Sequence, residues 1–381
     1  MSLSHSPSIV TSGLVLYYDM NNTQKSWKGA PVVNNVSAPD DFNNGTYWDK
    51  TTYPIVVTSN TILAPDNTLT GDLIVNNNAA ISLILQTIST TIVGTGALIC
   101  SIYVKAYTAS YFTFNCYYQG DTELNPSFYM NGTSDTGTTM TSVGNGWYRC
   151  SMTVPARVNA GTSLFFRIWP GGRGLTNNLG FYFWGAQIDT GFLKPYVNGS
   201  RTTSTALLDL SGNNTLTANS LTYASNNTFS FNGSSDYISS TVAFTSGQAL
   251  TVIGWLYSTE TTATYRNFFD SITQKPMIWW NTLGQIEFDA ALYFTPAVYR
   301  NQWVQVALSK PSGSSSASYY VNGVLVGTGT AYTVQAVTPT WFNRAGAQTW
   351  LGSCSNVQVY NKELTADQVL QNFNALKGRY L

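Results

Sequence analysis

Charge is scarce in this chain. Charged residues make up 9% of its 381 positions, and 18 basic side chains balance 18 acidic ones. A typical soluble domain carries about a quarter. So neutral a surface gives no electrostatic footprint for nucleic acid or for an anionic membrane, and both are set aside as partners. Histidine is nearly absent: His5 stands alone, so a Ser-His-Asp or Cys-His site has no base to draw on. Long apolar runs are missing too. "AAISLIL" (79–85) is among the longest, far short of a membrane span. The opening "MSLSHSPSIV" has neither a charged n-region nor an apolar h-region, so no secretory signal is expected and synthesis in a cytosol is.

Cysteine is sparse and lacks metal-ligand spacing. Cys100 alternates with Ile102 and Val104, Cys116 with Phe112 and Phe114, and Cys150 with Tyr148, Met152 and Val154. These three read as small buried hydrophobes. Cys354 falls in the register of Asn356 and Gln358, opposite Val357 and Val359. Cytosolic synthesis predicts four free thiols. A turn near Tyr107–Ser110 would set Cys100 and Cys116 face to face across a hairpin, close but unbonded.

Asn, Ser, Thr, Gly and aromatics fill the space that charge leaves, with 24 Tyr and 11 Trp. That mixture suits strands, turns and surfaces that bind through hydrogen bonds and ring faces. "GLVLYYDMNN" (13–22) reads as one strand stopped by Asp19 and two asparagines, and a lone strand needs a partner. "GNGWYRCSMTV" (144–154) and "SYYVNGVLVG" (318–327) carry Asn-Gly pairs between alternating runs, the signal of a two-residue type I′ hairpin. One helix stands out, near the end. Thr365 and Gln368 form a capping box, Val369, Leu370, Phe373 and Leu376 share one face, and Gly378 follows as a stop.

Far downstream of the first strand come "LLDLSGN" and "FSFNGSSDYI", then "LTVIGWLYS", "QWVQVALS", "YYVNGVLVG" and "VQVYNKELTADQVLQNF". Their order and spacing resemble laminin-G-like, concanavalin-A-type jelly rolls found in phage structural proteins. About 170 residues interrupt that pattern and carry strands of their own. In this insert "APDNTLTGDLIV", "CSIYVKA", "VGNGWYRCSMTV", "FYFWGAQID" and "LKPYVNGS" resemble carbohydrate-binding-module-like jelly rolls of phage fibres and adhesins. The expected fold is all-β: two β-sandwich (jelly-roll) domains, one inserted into the other, with a C-terminal α-helix. A tail of 1–12 precedes a discontinuous laminin-G/concanavalin-A-like sandwich of 13–33 plus 203–381, with the insert at 34–202. The ends of the insert should lie close together.

"IEFDAALYF" places Glu287 and Asp289 on one strand face about 7 Å apart. Concanavalin-type glycosidases carry a similar strand, Glu-x-Asp-x-x-Glu, but Leu292 stands here where the second catalytic carboxylate would be. With only four glutamates in the chain, no enzyme is expected and this strand is read as solvent-facing. "WPGGRGLTNN" (169–178) lacks the strand–glycine–helix context of a phosphate loop. It reads as a long hairpin connection, or as a ligand loop in which Trp169 offers a ring face and Arg173, Asn177 and Asn178 offer donors. Trp279 and Trp280 alternate across a strand, so one fills the core, and the other stacks on a sugar, lines a subunit contact or covers a loop. Trp169, Arg173, Asn177 and Trp280 are the candidate carbohydrate-binding residues.

No cofactor is required by these residues. The family resemblance makes calcium the metal to consider, with Asp19, Asp236 and Asp270 as candidate oxygen ligands. It also implies a non-enzymatic protein on a virion surface, in a phage head, tail fibre or appendage, adhering to host-surface glycans. The alternatives are a purely structural capsid or baseplate decoration protein, or a polysaccharide-degrading enzyme. Expected partners are other virion proteins, host glycans and further copies of the same chain.

Overall fold

The computed structural model describes residues 8–22, 25–53, 55–76, 82–171, 179–223, 229–261, 264–272, 275–288, 293–330, 333–342 and 348–381. The chain forms two compact units, one made of Met1–Pro31 and Thr202–Leu381, the other of Val32–Arg201. No helix of the described residues is long and apolar enough to cross a membrane.

Among the described residues, the first unit holds an eight-stranded and a seven-stranded sheet. Leu351–Tyr360 is the organising strand of the larger sheet. On one side it pairs with Leu250–Ser258, and on the other with both Phe229–Asn232 and Leu14–Asp19, end to end. The partner of the first strand therefore lies more than 300 residues downstream. A second grip comes from the "DLSGNN" turn. Asp209 Oδ1 accepts the amides of Tyr17 (2.8 Å) and Ser211 (2.9 Å), while Asn214 Nδ2 and Ser211 Oγ donate to Val15 O at 2.6 and 2.9 Å. Between the two sheets lies a core that includes Leu16, Tyr18, Trp27, Leu256, Trp280, Val306, Trp341 and Trp350.

The strand Leu351–Tyr360 corrects the register expected for Cys354. Trp255 sits opposite Asn356 but Leu256 sits opposite Cys354, so Ser355 is an extra residue in the ladder. Such a bulge reverses the faces on one side of it. Cys354 thus joins Val357 and Val359 in the core and is fully buried. Ser316–Val321 and Val324–Thr330 form the expected hairpin, with Asn322 at φ 50° and Gly323 at φ 77°.

Thr365 caps the helix Ala366–Leu376 through the reciprocal pair with Gln368. Its buried face is rotated from the one expected. Val369, Asn372 and Leu376 face inward, while Leu370 is 40% exposed. Asn372 takes the inner place because its amide oxygen accepts Val10 N at 2.7 Å, and its Nδ2 donates to Gln358 Oε1 and the Tyr360 hydroxyl.

The second unit packs a six-stranded sheet on a five-stranded one, again counting described residues. Leu98–Ala106 belongs to the first sheet and Tyr111–Tyr118 to the second, so the hairpin expected between them does not form. The chain instead crosses between layers, and Cys100 and Cys116 meet inside the sandwich core. All four cysteines are buried free thiols. Burial, with Cys100 beside it, pushes the Cys116 thiol far above its ordinary value. Thr138–Gly144 and Trp147–Val154 form a hairpin about Asn145 and Gly146, both at positive φ.

At the junctions the two crossings of the chain run side by side. Trp27 bridges to Leu207 and Lys28 N donates to Ala206 O at 2.8 Å in the first unit; Val32–Val33 pairs with Ser200–Arg201 in the second. Removing residues 32–201 and rejoining Pro31 to Thr202 through a short linker is therefore expected to leave a cooperatively melting β-protein. A molten or aggregated product by circular dichroism and calorimetry would refute an independently folding first unit.

Candidate functional site

In the second unit the strand Gly71–Val75 carries Asp72, fully buried, beneath a cleft of about 380 Å³. Asp72 Oδ2 accepts Phe42 N at 2.8 Å and Oδ1 accepts Asn60 N at 2.9 Å. Phe42 lies between the lining residues Asp41 and Asn43, and Asn60 lines the cleft itself, so a single carboxylate holds both stretches. Asn60 itself takes a left-handed conformation, φ 56°, where the partner strand Val56–Ile62 shifts register against Asp72's own strand. Asparagine tolerates that region better than most residues.

The cleft is lined by Asp40, Asp41, Asn43, Asn44, Ser59, Asn60 and Thr70. Every one of these side chains donates or accepts hydrogen bonds. Asp40 is steadied by Asn198 Nδ2, at 2.9 and 3.1 Å from its two oxygens, and Lys50 Nζ donates to Asn43 Oδ1 at 2.6 Å. Thr70 Oγ1 accepts the Trp184 indole N–H at 2.9 Å. Behind it Trp184 packs with Tyr103 and Tyr196, ring centroids 5.1 and 4.3 Å away, in an aromatic cluster that also includes Trp147. Burial first, then the Asp66 and Asp41 carboxylates, holds Asp40 above the usual carboxylate range. Burial likewise lifts Asp72 to about 6, against the two amide hydrogen bonds. The site is thus polar, net acidic, open at the top and backed by rings.

A second polar cluster lies in the first unit, off the core face of the seven-stranded sheet. Trp279 is stacked by Tyr265 at 4.5 Å, and Glu287 stands opposite it on the neighbouring strand. Glu287 is 6% exposed, so the solvent-facing reading of this strand is corrected. Burial raises its pKa. In the other register of this sheet, opposite Trp280, Arg266 pairs with Glu260 and donates to the carbonyls of Gly233 and Thr349 at 2.9 and 3.0 Å.

Of the expected ligand residues, Trp169 and Trp280 are described, and both are buried. Trp280 is fully buried, donates its indole N–H to Tyr299 O at 2.9 Å and meets the Trp350 ring edge-on. Trp169 ends the strand Ser163–Trp169 at 2% exposure. Neither ring is open to solvent. Arg173, Asn177 and Asn178 lie outside the described residues, as do Asp289 and Leu292.

The two calcium candidates with described side chains are each taken up by donors of the protein. Asp19 accepts Arg379 Nη1 at 2.6 Å, the Asn21 amide at 3.0 Å and the Tyr17 hydroxyl at 3.2 Å. Asp236, fully buried, accepts Asn232 N at 2.8 Å and Ser235 Oγ at 3.1 Å. Asp270 lies on the strand Arg266–Ile272, with its side chain outside the described residues. Among the described residues, no three His, Cys, Asp or Glu side chains gather as a metal site.

The cleft residues escaped the sequence reading, although "PDDFNNGT" (39–46) packs four Asp and Asn side chains into one short stretch. That density of turn residues looked like any loop. What it lacked was Asp72, which pairs with it only in three dimensions.

Residues 231–370 match the family described as the concanavalin A-like lectin/glucanases superfamily. They form a concanavalin A-like jelly-roll domain within the first unit. No curated protein sequence matches the chain. Solved structures similar to it include the botulinum neurotoxin serotype D ligand binding domain in complex with N-acetylneuraminic acid, at 17% identity and TM-score 0.37, covering 47% of this chain and 50% of that one. Another is domain 4 of AbnA, an extracellular arabinanase of Geobacillus stearothermophilus, in complex with arabinotriose, at 19% identity and TM-score 0.34, covering 45% and 92%. A Trypanosoma rangeli sialidase mutant shares 14% identity at TM-score 0.36, covering 44% and 31%. The chain spans about half the length of the neurotoxin binding domains it matches.

Asp72 gives the cleft a pH signature. Its folded pKa of about 6 lies above the ordinary 3.8, so the folded state binds a proton more tightly than the unfolded one. Its contribution to stability is complete below about pH 4 and lost as pH rises through about 6. The melting temperature of wild type should therefore rise on acidification across this window more than that of Asp72→Asn. Identical pH slopes for the two proteins would refute the assignment.

Proposed function

We propose that this protein is a non-catalytic glycan-binding adhesion protein, displayed in many copies on a virion surface. The observation that carries the reading is the cleft between Asp40–Asn44 and Ser59–Thr70. Its volume of about 380 Å³ suits a small saccharide, and its lining is made of side chains that bond hydroxyl groups in either sense. Its negative charge favours neutral over acidic sugars, since Asp40 and Asp41 would face a second carboxylate.

A shallow, open site of this kind binds weakly, near millimolar or about −4 kcal/mol. Adhesion then follows from copy number, because linked copies convert weak binding into avidity. Display on a head, tail fibre or appendage, beside other virion proteins and further copies of this chain, is supported by the resemblance of its strand motifs to phage structural proteins. Synthesis in the host cytoplasm accords with four buried free thiols.

A glycan array probed with a multimerised form tests the proposal. Wild type should bind neutral glycans, and the double variant Asp41→Ala/Asn43→Ala should lose about tenfold or more while keeping its melting temperature. Neither protein should release reducing ends from the bound polysaccharide. Absence of binding by multimerised wild type and by whole particles would favour a decoration protein without glycan binding, and measurable hydrolysis would contradict the non-catalytic assignment.

A further inference from the structure

The outer face of the eight-stranded sheet carries a polar row that its structural role does not explain. Asp19, Asn356, Trp255 and Gln305 stand side by side on four neighbouring strands, opposite one another in register. All four are 1% exposed or less. Helix Ala366–Leu376 and the turn after it cover this face. Phe373 and Tyr380 both lie parallel to the Trp255 ring, at 5.6 and 4.3 Å.

Tyr380 is held there as a ligand would be. Its ring stacks on Trp255 and flanks Trp303 at 5.0 Å. Its hydroxyl bonds Ser355 Oγ and accepts Asn356 Nδ2 at 3.2 Å and Asn21 Nδ2 at 3.3 Å. The preceding Arg379 reaches Asp19 Oδ2 at 2.6 Å. Yet one hydroxyl cannot satisfy the row. Both amide atoms of Gln305, the Asn356 Oδ1 and the Trp255 Nε1 are buried with no hydrogen-bond partner among the described residues. Leaving such groups unpaired is costly, and a purely structural interface would fill these positions with apolar side chains.

We propose that this row is a second ring-binding site, specific for a pyranose and closed in the present structure by Tyr380. A pyranose offers what a phenol lacks: an apolar face for Trp255 and several hydroxyls that donate and accept around its rim. Those hydroxyls would reach Asn356 and Gln305, which flank Trp255 on the strands to either side. The Asp19 carboxylate disfavours acidic sugars, as Arg379 leaves with Tyr380. The site lies in the other unit from the Asp40 cleft and stands whether or not that cleft binds glycans.

The test uses the full chain and three simple probes, methyl β-glucopyranoside, methyl β-galactopyranoside and methyl N-acetyl-β-glucosaminide, followed by tryptophan fluorescence and saturation-transfer NMR. Tyr380→Ala should gain binding of at least one probe, about tenfold or more over wild type, and Tyr380→Ala/Gln305→Leu should lose that gain. Because the readout is a gain over wild type, sugar held at the Asp40 cleft does not enter it. No gain in folded Tyr380→Ala, or a gain that survives Gln305→Leu, would overturn the proposal. If Tyr380→Ala fails to fold, Arg379→Ala carries the test, since its side chain is 42% exposed and its loss only frees the anchor at Asp19. A gain of about threefold there supports the site, and its absence overturns it.

Discussion

The first unit depends on how the strand Leu14–Asp19 is held. Its backbone completes the sheet beside Leu351–Tyr360, and Asp209 binds the Tyr17 amide from the turn that follows the second crossing. Without those bonds Leu16 and Tyr18 would leave a fully buried core, and that apolar burial is the main favourable term in the fold. The same strand ends at Asp19, whose carboxylate anchors Arg379. Sheet closure, core and the cover of the outer face therefore meet in six residues separated from their partners by most of the chain.

Local chemistry in this protein was legible where the determinant was local. Asn322-Gly323 and Asn145-Gly146 adopt the positive φ that their sequences announce, and the Thr365–Gln368 box starts the helix where it should. The reading failed where a distant residue decided. Asn372 is not on the apolar face expected of the helix, but Val10, over 350 residues earlier, needs its oxygen. Cys354 looked polar-facing because nothing in "CSNVQVY" shows that Ser355 bulges; only the pairing with Trp255 and Leu256 does. Cys100 and Cys116 were read rightly as core neighbours, but through a hairpin that the chain replaces with a crossing between layers.

Candidate sites were less legible for a related reason. Tryptophan drew attention because a ring can stack on a sugar, yet Trp169 and Trp280 are more valuable to the fold as buried volume. The cleft at Asp40–Asn44 is built from residues that resemble ordinary turns, and it becomes a site only because Asp72 fixes two such turns against each other. Binding surfaces made of small polar side chains on loops leave little trace in the periodicities that reveal strands and helices.

In the proposed function, the cleft of the second unit is the place where glycan is held. Hydrogen–deuterium exchange of the full chain, with and without a saturating neutral oligosaccharide, tests this directly. Slowed exchange confined to residues 40–44 and 59–70 is the predicted result. Protection elsewhere in the chain with none in those two segments would contradict it.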